Sequence, residues 1–154
     1  MDDFYDKQTY DYYISAGDAY NIGLQLLDPD GAAEAVAGHG MTFKVFDPVA
    51  NDYISALEKS HDDAVGDGIY FQGDTYAWSE LNLDATNKLV VHLKSADTET
   101  LGKGIYPFII VIDKDINSIN EKLTILRGNI VVMEHTKSGS DFRDVVVDLG
   151  QFQV

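Results

Sequence analysis

Apolar and polar residues alternate in short runs along this chain, with turn residues between the runs. In "AYNIGLQLL", Tyr20, Ile22, Leu24 and Leu26 share one side, and Asn21, Gly23 and Gln25 share the other. That period of two is the pattern of a strand buried on one face. "DPDG", Asp28 to Gly31, follows as a turn, with proline preset at its second position and glycine at its end. "MTFKVF" alternates again, with Met41, Phe43 and Val45 facing one way. "DPVAND" breaks that run, and "DYISAL" resumes as a short strand or a turn of helix. "EKSHDDAVGDG" reads as an exposed loop, and "IYFQGDTYAWSEL" as a hairpin around Gly73 and Asp74.

The second half of the chain continues in the same way. Leu89, Val91 and Leu93 form one face of a strand. Ser95 is placed to cap a single helical turn, with Asp97 and Glu99 near its positive end and Gly102 ending it. "GIYPFIIVID" is apolar on both faces, which predicts a central strand covered on both sides. Pro107 lies within it and cannot donate to a ladder, so a bulge or an unpaired backbone edge is expected there. In "KLTILRGNIVV" the apolar phase shifts near Gly128, which predicts a bulge at that point. "MEHTKSGSD" is a polar link, and "DVVVDL" is a last strand with Val145, Val147 and Leu149 on one side. Seven to nine short strands without a long helical period predict an all-β fold, an antiparallel β-sandwich with one helical turn near 95–101.

Length and charge narrow the function. The 154 residues suit one domain with a normal core. Eleven basic residues face 26 acidic ones, for a formal net charge of -15. A field of that sign repels phosphate backbones and anionic lipid heads, which argues against nucleic acid and membrane surfaces as partners. The absence of cysteine removes disulfides, thiolate zinc sites and iron–sulfur clusters. The acidic, polar start "MDDFYDKQTYDYY" lacks the features of a signal peptide, and no apolar run is long enough to span a bilayer.

Candidate chemistry is sparse. Asp113, Asp115 and Asn117 occupy the first alternate positions of a calcium loop, but Ser118 and Thr124 stand where that loop needs glycine and glutamate. His61, Asp62, Asp63 and Asp67 form a second acidic patch, read as a solvated loop. His39, His61, His92 and His135 have no metal-ligand spacing, and His92 alternates outward on its strand. No nucleophile elbow or metalloprotease helix is present. The expectation is therefore no catalytic residue, metal or cofactor. The aromatic residues carry the remaining signal. Phe4, Tyr5, Tyr10, Tyr12 and Tyr13 lie in a stretch with too few aliphatics for ordinary core, and read as an interface. Tyr76 and Trp78 are candidates for contact with a glycan or a partner.

The order of these elements resembles the immunoglobulin-like β-sandwich modules of tailed-bacteriophage virions, such as the N-terminal domain of upper baseplate proteins. The resemblance covers residues 16–132. It rests on Gly17-Asp18 before the first strand, the Asp28 to Gly31 turn, the Ser95 to Leu101 helical turn followed by Gly104-Ile105-Tyr106, and Leu126-Arg127-Gly128 leading into Asn129 to Val132. It implies an immunoglobulin-like sandwich, residues 16–132, flanked by an N-terminal arm, 1–15, and a C-terminal extension with a final strand, 133–154. It implies a non-enzymatic structural protein of the virion, assembled in the host cytoplasm, with other virion proteins and further copies of itself as partners. The chain lacks the long fibre part of a baseplate protein, which fits a small head-decoration, tail or fibre-adaptor component. The alternative is a carbohydrate- or host-surface-binding sandwich.

Overall fold

A computed structural model describes residues 9–35, 39–62, 65–71, 83, 85–116, 119–133 and 143–146. It shows the all-β sandwich that the alternation predicts, with eleven strands among these residues. In chain order they are β1 (Thr9–Ser15), β2 (Tyr20–Leu27), β3 (Gly40–Asp47), β4 (Asp52–Tyr53), β5 (Lys59–Asp62), β6 (Val65–Asp67), β7 (Ile69–Phe71), β8 (Lys88–Leu93), β9 (Gly104–Ile116), β10 (Ile119–Met133) and β11 (Arg143–Val146). One sheet has seven strands in the order β1-β10-β9-β3-β5-β6, with β4 paired to β3. The other has four, in the order β11-β2-β8-β7. The single helical turn, α1 (Ser95–Thr98), follows β8.

The core lies between the sheets, where the predicted faces meet. Tyr20, Ile22, Leu24 and Leu26 of β2 and Leu89, Val91 and Leu93 of β8 pack against Met41, Phe43 and Val45 of β3 and Phe108, Ile110 and Ile112 of β9. The Phe43 and Phe108 rings sit 5.4 Å apart, and Tyr12 lies 5.7 Å from Phe108. After Asp47 a turn leads to β4 and a 3₁₀ turn, Ser55–Leu57, which returns Leu57 to the core.

Several local expectations change. Residues 9–15 are not an arm: β1 pairs in parallel with β10 from Thr9 opposite Arg127 to Ser15 opposite Met133, and buries Tyr12 and Ile14. β11 pairs in parallel with β2, so the final strand extends the four-stranded sheet. Among the described residues, the paired strands are thus antiparallel except at these two, with one isolated parallel bridge between Ser60 and Gly68. Part of the supposed loop 58–68 forms β5 and β6, because Lys59 and His61 face inward and find partners there. β9 is central but covered on one side: Phe108, Ile110 and Ile112 are buried, while Ile105 is 60% exposed. Pro107 stands one residue beyond Phe108, the last β9 position paired to β3, so the β3 side needs no donor at Pro107. The irregularity in β10 falls between Thr124 and Leu126, three residues before Gly128, and lets Ile125 and Leu126 both turn inward. Gly128 has a different task. A Cβ there would run into the Tyr10 carbonyl oxygen and lie 2.7 Å from the Phe108 ring, so only glycine lets β1 approach β10.

Candidate interaction surface

Two opposed surfaces of the seven-stranded sheet follow from the strand period. Along β10, Ile130 and Val132 point inward, and Arg127, Asn129, Val131 and Met133 point outward. The register carries this alternation across the sheet. Tyr13 of β1 lies opposite Val131, and Val131 lies opposite Ile105 of β9. Tyr13 is 49% exposed, Ile105 60% and Met133 41%. Three side chains that water should not meet thus stand together at one end of the outer face.

The other end is basic. Arg127 is exposed and lies opposite Ile109, which in turn lies opposite Lys44 of β3. The Lys44 ammonium sits 5.3 Å from the centre of the Tyr53 ring, a contact that orients the cation without neutralising it. Tyr53 packs edge-on against Phe46 at 5.6 Å. Of the acidic residues on this face, Asp113 receives the Lys122 ammonium at 2.9 Å, and Asp11 accepts from the Asn129 amide at 2.9 Å. Among the described residues, Arg127 and Lys44 are thus the cations at this end without a carboxylate partner, while the Asp11 carboxylate on the neighbouring strand is hydrogen-bonded but not neutralised.

The opposite side of the molecule shows how inward polar residues are satisfied. The Lys59 ammonium of β5 meets the Asp97 carboxylate of α1 at 2.8 Å, with both side chains largely buried. The same carboxylate accepts the Lys94 N–H at 2.8 Å, so Asp97, rather than Ser95, caps the helical turn. Gly68 is in the left-handed region, φ +90, and a Cβ there would strike the Lys59 side chain. The His61 imidazole stacks on Phe71 of β7 at 3.6 Å. The His61–Phe71 stack therefore bridges the two sheets, and the Lys59–Asp97 pair ties β5 to the helical turn α1. Thr98 accepts the Gly17 N–H and donates to the Asp18 carbonyl, pinning α1 to the β1–β2 turn. His92 Nδ1 lies 2.6 Å from the Asn21 carbonyl oxygen. Burial first, and then the nearby Lys59 ammonium, hold its imidazole below the ordinary histidine value.

The predicted site residues divide accordingly. Of the aromatic group, Tyr13 faces outward, whereas Tyr12 is a core residue at 5% exposure and Tyr10 packs against the core. Tyr12 is thereby corrected from interface to core, since its parity on β1 puts it opposite Ile130. Phe4, Tyr5, Tyr76, Trp78 and His135 lie outside the described residues. Asp113 is in a strand rather than a calcium loop, and its carboxylate is held by Lys122. His61 belongs to β5 and the core. Among the described residues, no group of three or more His, Asp or Glu could hold a metal ion, and no helix is long and apolar enough to cross a membrane. Sequence reasoning missed Ile105 and Met133. The signal was present in the two-sided apolar pattern of β9, which was assigned to burial instead of to an exposed face.

Neither a family model nor a curated protein matches the chain. Among solved structures, it is similar to AggA, the major subunit of aggregative adherence fimbriae type I from Escherichia coli, at 15% identity and a TM-score of 0.31, over 81% of this chain and 91% of that one. A likeness at that score carries no argument about function.

Proposed function

We propose that this chain is a non-enzymatic structural protein that works through protein–protein contacts, as a component of a bacteriophage virion. The observation that carries the contact role is the outer face of the seven-stranded sheet. Tyr13, Ile105 and Met133 place apolar surface in water beside Arg127 and Lys44, on strands whose other side anchors the core. Apolar surface rimmed by charge on a rigid sheet is the composition of a docking face. The virion setting rests on the resemblance of residues 16–132 to phage sandwich modules.

Light scattering of the purified full chain over a range of concentrations tests the contact role. The expected result is a mass that rises above the 17.0 kDa of one chain. It should return to that value in Ile105→Glu, with the melting temperature unchanged. A single-chain mass at every concentration would overturn self-association. Mass spectrometry of purified phage particles from the source culture tests the virion setting, and absence of the chain from them would remove it.

A further inference from the structure

The outer face has two chemistries at a fixed separation, and one segment of this chain matches both. The apolar end is Tyr13, Ile105 and Met133, and the basic end is Arg127 and Lys44. Arg127 and Val131 are four positions apart on β10, so the two ends stand about 13 Å apart. The first eight residues, "MDDFYDKQ", hold Phe4 and Tyr5 between Asp2 and Asp3 on one side and Asp6 on the other. Eight extended residues reach up to about 26 Å, enough to cover both ends. In this segment three carboxylates accompany one lysine, so its charge is opposite to that of the basic end.

The direction of β1 decides whose segment it is. β1 starts beside Arg127 and runs toward Met133. Residue 8 is therefore joined to β1 at the basic end, about 13 Å from the apolar end of its own face. To reach that end, the segment would have to turn back within residues 5–8, "YDKQ", which contain neither glycine nor proline. A reversal there uses about three or four residues, which would leave Phe4 and Tyr5 near the Arg127 row and short of Tyr13 and Ile105.

We infer that the outer face of the seven-stranded sheet binds the acidic, aromatic N-terminal segment, residues 1–8, of a second copy of this chain. This inference rests on the contact role proposed above and names its occupant. The contact is head-to-tail, so each copy offers one segment and one face, and association continues into rings or filaments unless an end is blocked. The aromatic pair supplies the buried anchor at the apolar end. The carboxylates oppose Arg127 and Lys44, and added salt should weaken the contact.

A mixing experiment with full-length chains tests it. One variant, Phe4→Ala with Tyr5→Ala, keeps the face and loses the segment's anchor. The other, Ile105→Glu with Arg127→Glu, keeps the segment and loses the face. Ile105 and Arg127 are exposed, and equal melting temperatures check the fold of every variant. Lys94→Glu with Thr86→Glu, exposed positions away from the face, makes the same change in net charge and should associate as the parent does. Each double variant alone should be monomeric, and an equimolar mixture should form pairs of twice the single-chain mass. Two results overturn the inference while leaving the contact role standing. One is a Phe4→Ala/Tyr5→Ala chain that associates as the parent does. The other is a mixture that stays monomeric although the parent associates. A parent chain that is itself monomeric throughout overturns both.

Discussion

The inner and outer faces of the seven-stranded sheet are built from alternate residues of the same strands. Phe108, Ile110 and Ile112 point one way along β9, and Ile105 and Ile109 point the other. Composition does not separate the two faces, since isoleucine serves both. What separates them is whether a second sheet lies opposite. The four-stranded sheet covers the inner face and makes its packing specific, while the outer face leaves Tyr13, Ile105 and Met133 exposed, the surface proposed above for a contact made after folding. The same contrast runs through the ion pairs. Lys59–Asp97 and Lys122–Asp113 have nearly equal lengths, 2.8 and 2.9 Å, but the first ties β5 to α1 largely out of water and the second joins β10 to β9 in it.

The largest test of this contrast is in the core. Phe43→Ala removes a ring with no exposed surface, and should cost about 3–5 kcal/mol in denaturant unfolding. A cost under about 1 kcal/mol would mean that the inner face is not the tightly packed one. Asp97→Ala comes next. It leaves the Lys59 ammonium largely buried without its carboxylate and removes the acceptor of the Lys94 N–H, a loss on the order of 3 kcal/mol by the same measurement. Restored stability in Asp97→Ala with Lys59→Met would identify the lone charge as the cause.

A smaller effect belongs to His92. Its folded pKa is lowered, so the unfolded chain binds the proton more readily. Stability is then complete above the unfolded value of about 6.5 and falls as pH drops from there toward the lower folded value. Melting curves between about pH 7.5 and 5.5 should show a steeper loss for the parent chain than for His92→Asn, and parallel curves would refute the assignment. The smallest effects are expected outside. Asp113→Ala breaks an exposed pair and should change stability by less than about 0.5 kcal/mol, and Ile105→Glu should be as mild. A large loss from Ile105→Glu would show that the outer face contributes to folding.

Much of the fold was legible because alternation with a buried side is a strong constraint. β2, β3 and β8 declared themselves through Ile22, Phe43 and Val91 and their neighbours, and the helical turn through Ser95, Asp97 and Gly102, although its cap is Asp97 and not Ser95. The polar strands β5 and β6 were hidden. Lys59 and His61 read as solvent residues, and the tertiary partners Asp97 and Phe71 help make their burial tolerable. β1 was misread for a related reason. Its tyrosines alternate between core and surface, and parity becomes informative only once β10 is known to lie alongside. Gly128 looked like a bulge marker, but its role is set by the Tyr10 carbonyl, 118 residues away in sequence. The proposed contact face stayed invisible because a row of Tyr13, Val131 and Ile105 exists only after three distant strands are set in register.

The parallel pairing of β1 with β10 also sets a timetable for the newborn chain. Asp11 and Asn129, side by side in the sheet, are 118 residues apart in sequence. At roughly 5–20 residues per second of synthesis, β1 waits roughly 6–24 s for its partner to be made. Throughout that interval Tyr12 and Ile14, both destined for the core, have no finished sheet to enter. β1 is thus translated well before β10 and is among the last of these strands to find its place, and the ribosome's pace limits how soon the sandwich can close.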